Sequence, residues 1–232
     1  MPLVIAVYGE TIMEIKPIAY IKNDFDTKFG VPRQSGLADV LSRIVFEKEY
    51  RDPNALRGIE EFSHLWLIWE FTEFSNKAWS PMVRPPRLGG NTRIGVFATR
   101  SPNRPNNLGL TLVKLIEVDG CELVVSGADL INGTPIYDIK PYLPAFESVP
   151  EAAGGFADDF KDFALKVEYD QAVLNKLPEK KRASLLDILK GDPRPSYQDD
   201  PERIYGFGYG GYEIKFKVCG DTVYLVDIIL NS

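Results

Sequence analysis

The chain has 232 residues, 44% hydrophobic and 26% charged, enough for one core domain with a smaller second one. Two cysteines, Cys121 and Cys219, and one histidine, His64, exclude a disulfide framework and a structural Cys/His zinc site. The net charge of −6 argues against nucleic acid as a partner, yet Phe74–Ile116 holds no Asp or Glu and seven cations, leaving −13 on the rest. Those cations are Lys77, Arg84, Arg87, Arg93, Arg100, Arg104 and Lys114. They predict a local anion site on an acidic body, unless folding scatters them over different faces.

Leu3–Val7 reads as an edge strand. It is far shorter than the ~20 residues of a membrane span, and no basic residue precedes it as in a secretory signal. Thr11–Lys22 is a β-branched run broken at Pro17, and Arg43–Glu47 a short strand. Asp52-Pro53 opens a short helix ending near Arg57-Gly58, with Asp as cap and Pro in the first turn. Phe62–Phe71 is a continuous apolar run and reads as a buried strand. Arg93–Thr99 and Leu108–Val118 add strands, and Asp119-Gly120 signals a hairpin into Cys121–Gly127. Pro135–Lys140 supplies one more. The expectation is a β-rich fold whose residues 1–145 close into an antiparallel barrel.

Pro144–Asp159, with Gly154-Gly155 and several acids, reads as a linker or mobile loop. A small α+β domain is expected over 160–232. Its elements are a strand within Phe163–Tyr169, a helix capped by Asp170 and reaching about Leu177, and an amphipathic helix Glu179–Lys190 ended by Gly191. A closing hairpin, Glu213–Val218 and Val223–Ile229, turns at Cys219-Gly220-Asp221. Gly206–Gly211 matches G-x-G-x-x-G, but a polar stretch precedes it and a strand follows. It is expected to be a flexible aromatic-glycine loop, not a dinucleotide fingerprint. His64 is expected to be a structural hydrogen-bonding group, and both cysteines buried thiols of a reducing cytosol.

Four stretches have the makeup of ligand loops. They are Val31-Pro32-Arg33-Gln34, Arg84-Pro85-Pro86-Arg87-Leu88-Gly89-Gly90-Asn91, Gly95–Asn106 with its Arg100-Ser101-Pro102-Asn103-Arg104-Pro105-Asn106, and Asp129–Pro135 running on to Asp138–Tyr142. Proline stiffens such a loop, glycine lets backbone approach closely, and Arg, Asn and Thr direct hydrogen bonds. Unusually ordered structural turns with surface ion pairs would share that composition.

These stretches, with Phe62-Ser63-His64-Leu65-Trp66 and Asp192-Pro193-Arg194-Pro195-Ser196-Tyr197, resemble the TrmO family in order and over most of the chain. The resemblance implies a β-barrel that binds S-adenosyl-L-methionine, a small C-terminal domain, and a cytoplasmic homodimer with no metal. It also implies methylation of N6 of threonylcarbamoyladenosine at position 37, in the tRNA anticodon loop. Carried over position by position, it places the cofactor on Pro32, Arg33, Gln34, Thr72, Glu73, Arg100, Leu110, Asp129, Leu130, Ile131, Asn132 and Gly133. Many members have His where Thr72 stands and Asp where Asn132 stands, so those contacts are expected to run through the backbone. The tRNA is expected on Arg84, Arg87, Arg104, Asn106, Lys140, Tyr142 and Arg194. No residue is singled out as a catalytic base. The alternatives are a non-enzymatic RNA- or nucleotide-binding module and a methyltransferase for another nucleoside.

Overall fold

Proline divides the first β-branched run. The run becomes β2 (Thr11–Ile15) and β3 (Ala19–Lys22), with Pro17 in the gap, because proline has no N–H for a ladder. The computed structural model describes residues 3–8, 11–74, 78–88, 91–194 and 200–231, and the side chains from residue 14 onward except that of Arg87. β1 (Leu3–Tyr8) pairs with β2 alone in a two-stranded sheet. β3 begins the barrel, which continues with β4 (Leu41–Phe46) and β5 (His64–Glu70).

β6 (Met82–Val83) and β7 (Ile94–Gly95) form a small separate sheet. β8 (Leu108–Asp119), β9 (Glu122–Ser126) and β10 (Pro135–Pro141) complete a closed antiparallel barrel in the order β10-β3-β4-β9-β8-β5. Closure removes the edges an open sheet would expose. Alternation sets its interior: Leu65, Leu67 and Trp69 of β5 face Ile21, Ile44, Val113, Leu123, Val125 and Ile136. Each such side chain contributes roughly 1.5–3 kcal/mol on burial.

Several expected elements differ. The strand predicted over Arg93–Thr99 reduces to β7 followed by a 3-10 turn, Val96–Ala98. Both the Thr99 amide and its hydroxyl fold back on the Val96 carbonyl, at 3.1 and 2.8 Å, which a strand cannot do. The helix opened by Pro53 is a single 3-10 turn, Pro53–Leu56, capped by the Asp52 side chain on the Asn54 amide.

Beyond the barrel, the stretch read as a linker carries a one-turn helix α1 (Pro144–Glu147) and a 3-10 segment, Gly155–Phe160. β11 (Lys166–Tyr169), α2 (Gln171–Leu174) and α3 (Glu179–Lys190) follow. β12 (Tyr205–Tyr209), β13 (Tyr212–Cys219) and β14 (Thr222–Leu230) complete a sheet ordered β11-β14-β13-β12, with β11 parallel to β14. Leu185, Ile188 and Leu189 of α3 are buried against it. Gly191 ends α3, but the left-handed residue is the next one, Asp192, at φ 55°.

The loop expected at Gly206–Gly211 is instead strand β12 and its turn. Tyr205, Phe207 and Tyr209 alternate into the core while the intervening glycines face outward; Gly210 and Gly211 turn the chain at φ 59° and 87°. Cys219 is exposed and Cys121 half-buried, because each sits beside a hairpin turn; neither is the buried thiol expected.

Among the described residues there are two apolar cores, and the second draws on the first half of the sequence. Phe25, Ala38 and Val40, from the segment between β3 and β4, pack with Leu185, Phe207 and Phe216. Gly30 lies so close to Phe207 that a Cβ there would fall 2.3 Å from the ring. Among the described residues, no helix is long and apolar enough to cross a membrane.

Candidate functional site

Three loops at one mouth of the barrel are tied together by hydrogen bonds. The loop before β4 carries Pro32, Arg33 and Gln34. Arg33 Nη2 donates to the carbonyls of Asp192 and Arg194 at 3.0 and 3.1 Å, so this loop is anchored to the segment after α3. The Gln34 amide donates to the Arg33 carbonyl at 2.7 Å, and its Oε1 accepts from Arg100 Nη1 at 2.8 Å. Arg100 thereby joins the loop before β8 to the loop before β4. The Gly36 amide donates to the Gly127 carbonyl at 2.9 Å, and Ser126 Oγ to Asp39 Oδ1 at 3.1 Å, closing the third loop, after β9, onto the first.

Asp129 stands where these loops meet. Its Oδ1 accepts from Thr111 Oγ1 at 2.7 Å, and that hydroxyl accepts from Trp69 Nε1 at 2.8 Å. Burial raises the Asp129 pKa from its ordinary value. The Thr111 hydroxyl, its own amide, the Arg100 charge and the Ser35 amide oppose that rise.

The rest of this last loop is structural as well as polar. Leu130 fills the barrel core, and the Ile131 carbonyl accepts from Thr134 Oγ1 at 2.7 Å. Asn132 Nδ2 donates to Asp26 Oδ1 at 3.3 Å, while its Oδ1 accepts from the Asn23 amide at 3.3 Å. Gly133 takes φ 81° and donates its amide to the Ile21 carbonyl at 2.8 Å. Thr72 and Glu73 lie on the 3-10 turn after β5, and Glu73 pairs with Lys28 at 3.6 Å. Leu110 is separated from the others. It neighbours Thr111 on β8 and so points to the outer face, 56% exposed, while Thr111 is buried inside.

The candidate RNA-binding residues are not gathered in one place. Arg84 is exposed beside β6. Arg104 Nη1 donates to the Val96 and Thr99 carbonyls at 3.1 and 2.8 Å, with its guanidinium over Phe97, so it braces its own loop. Asn106 is exposed near the start of β8. Lys140 pairs with Asp138 at 2.8 Å, and Tyr142 meets Trp66 and His64 edge-on. Lys140 lies opposite Trp66, three positions along β5 from Trp69, about 10 Å at ~3.3 Å per residue. Arg194 Nε binds the Asp192 carboxylate at 3.1 and 3.0 Å. The Arg87 side chain, Lys77, Gly89-Gly90 and Pro195–Tyr197 lie outside the described residues.

Trp69, Thr111, Asn23 and Asp26 escaped the sequence reading. Trp69 lies in an apolar run and Thr111 in an alternating strand, where nothing distinguishes them from core. Glu70 was missed for the same reason. It is buried and accepts from Tyr137 OH at 2.6 Å; burial first, then Glu70, holds that phenol well above its usual pKa.

A closed antiparallel barrel with charged, jointly braced loops at one mouth, elaborated by an α+β unit, defines the class of protein. Residues 20–148 match the tRNA-methyltransferase O N-terminal domain and residues 162–231 the TrmO C-terminal domain. The chain belongs to the tRNA-methyltransferase O (TrmO) family. It is 38% identical over 218 residues to the tRNA (adenine(37)-N6)-methyltransferase of Escherichia coli (strain K12), covering 88% of this chain and 93% of that protein. A crystal structure of TrmO from P. aeruginosa superposes with a TM-score of 0.79 at 30% identity, covering 97% of this chain and all of that one. A shorter relative from Archaeoglobus fulgidus, an S-adenosyl-L-methionine-binding protein, is 36% identical over 142 residues, 61% of this chain and 98% of its own length.

Proposed function

We propose that this protein is an S-adenosylmethionine-dependent tRNA methyltransferase that modifies N6 of the adenine at position 37. The observation that carries the reading is the convergence of Gln34, Arg100 and Asp129, from three separate loops, at one mouth of the barrel. Support comes from the family, from the activity in the name of the Escherichia coli relative, and from the cofactor in the name of the Archaeoglobus fulgidus relative.

The residues fit the cofactor's chemistry. S-adenosylmethionine offers a ribose diol, which needs an acceptor, and an amino-acid carboxylate, which needs a cation. Asp129, partly desolvated but kept polar by Thr111 and Arg100, suits the diol; Arg100 suits the carboxylate. The backbone of Arg33-Gln34, Thr72-Glu73 and Asp129–Ile131 borders the same mouth, whereas the Asn132 and Gly133 amides are already bonded to the Phe25 and Ile21 carbonyls at 2.7 and 2.8 Å. When bound, the cofactor supplies an activated methyl electrophile. The chain's own residues hold both partners aligned, and alignment of this kind can supply ~7–11 kcal/mol.

The finer reading takes threonylcarbamoyladenosine in the anticodon loop as acceptor, with Arg84, Arg87, Arg104, Asn106, Lys140, Tyr142 and Arg194 as RNA contacts, in the cytoplasm. Residues 1–145 are read as the cofactor-binding unit and 160–232 as its accessory unit. A homodimer is supported by the outer barrel face, where Leu110 and Leu41 lie open and Trp66, Ile68 and Leu112 are half-exposed. Light scattering at micromolar concentration should give a dimer, and Leu110→Arg a monomer.

Calorimetry with S-adenosylmethionine alone should show binding without RNA. Nucleoside mass spectrometry of tRNA from a strain lacking the gene should show loss of one methyl on threonylcarbamoyladenosine. Absence of both results would favour a binding module; cofactor binding with a different missing nucleoside would change only the substrate.

A further inference from the structure

With Asp129 ionised, the hydrogen bonds from Trp69 through Thr111 to Asp129 point one way. An indole nitrogen donates and cannot accept; an ionised carboxylate accepts and cannot donate. The Thr111 hydroxyl between them has one proton. It must therefore accept from Trp69, at 2.8 Å, and give its proton to Asp129 Oδ1, at 2.7 Å. Thr111 is 1% exposed and Trp69 is buried, so solvent cannot replace either partner.

The fold makes special room for this chain. Gly109 is paired opposite Trp69 in the β5–β8 register, and a Cβ at Gly109 would fall 2.3 Å from the indole. The ring thus lies across β8 and reaches Thr111, two residues on. Packing alone would be served by any apolar residue at 111, and a hydroxyl buried there is costly unless it is bonded.

We propose that Trp69 and Thr111 are positioning residues for the cofactor: they hold the Asp129 carboxylate ionised and rotationally fixed, with Oδ1 tied down and the other oxygen turned to the ligand mouth. The proposal rests on the reading that Asp129 lies in the cofactor site. The Thr111 hydrogen bond favours the charged form at a place where burial disfavours it. The groups facing Asp129 are Thr111 from β8, the Arg100 charge from the loop before β8, and the Ser35 amide from the loop before β4. Of these, Thr111 opposes the burial most. Arg33, on the same loop as Ser35, donates to the carbonyls of Asp192 and Arg194.

Thr111→Val keeps the shape and removes the proton donor; Thr111→Ser keeps the donor. Cofactor affinity is measured by calorimetry for both, for Trp69→Phe and for Asp129→Ala, from pH 5.5 to 8.5, with melting temperatures alongside. Thr111→Val should weaken binding about tenfold, the scale of one hydrogen bond to a charged group. Its affinity should also fall at a higher pH than in the parent protein. The sign follows from the carboxylate. Without the donor its pKa rises further, so the ionised form is lost earlier as pH falls. Thr111→Ser should restore most of the affinity and the parental pH profile. Trp69→Phe should weaken binding less, because the hydroxyl keeps Asp129. Thr111→Val with parental affinity and pH profile, in a protein where Asp129→Ala weakens binding, would overturn the relay and leave the cofactor site standing. Asp129→Ala without effect would remove the site assignment, and the relay with it. Thr111→Ser as damaging as Thr111→Val would reduce the threonine to packing and overturn the proposal.

Discussion

Arg100 donates to the side-chain oxygen of Gln34 across 2.8 Å, joining positions 66 residues apart and fastening the loop before β8 to the loop before β4. Each side chain is exposed, so the pair has little value as a fold stabiliser. Its worth lies in presenting a guanidinium and an amide together. A double-mutant cycle on cofactor affinity, with Arg100→Ala, Gln34→Ala and the double variant, should give a coupling of at least about 0.5 kcal/mol, with unaltered melting temperatures. Additive effects would mean that the two act separately.

Arg104 and Arg84 share the basic stretch but differ in environment. Arg104 spends its guanidinium on two carbonyls of its own loop, whereas Arg84 is exposed. Arg104→Ala should cost about 1–3 kcal/mol of stability, visible as a lower melting temperature. Arg84→Ala should leave melting unchanged and flatten the dependence of log tRNA affinity on log salt by about one unit. A salt series on both variants checks this. A flatter slope for Arg104→Ala with normal melting would make Arg104 a phosphate contact after all.

Asn132 is matched to Asp26. Its amide donates to that carboxylate at 3.3 Å, so Asn132→Asp would set two like charges together. The loop carrying Gly133 should loosen in the variant relative to the parent protein at pH 7. Hydrogen exchange of the Gly133 amide, which now bonds to the Ile21 carbonyl, should report it. Equal protection in the variant and the parent protein at pH 7 would show that Asp26 moves aside at no cost.

Tyr209 sits in the second core with its phenol pushed up to about 12, chiefly by burial. Its folded pKa lies above the unfolded value near 10. The stability it contributes is therefore complete below pH 10 and is lost as pH rises towards 12. Tyr209→Phe should flatten this alkaline limb, measured as melting temperature against pH from 9 to 12. An unchanged limb would place the loss in other groups.

The amino-acid pattern by itself determined the strands that alternate and the turns that end them. Leu108–Asp119 with its hairpin, the Glu179–Lys190 helix and the last hairpin are all legible because a strand or helix declares itself by local periodicity. The loop motifs are legible too, since Pro, Gly and Arg in fixed order are rarely demanded by packing. Tertiary structure alone decided what those loops do. Arg93–Thr99 looked like a strand, but few residues beside it offered a ladder, and it folded back on Val96 instead. Tyr205–Tyr209 looked like a flexible loop because glycine hides alternation, until β13 paired with it and its aromatics met the core. Phe25, Ala38 and Val40 joined a core built mainly from residues more than a hundred positions later. Thr111 became the partner of Asp129 through the barrel's register, which brings side chains together through space. Local sequence carries no trace of a neighbour that only closure of the sheet supplies.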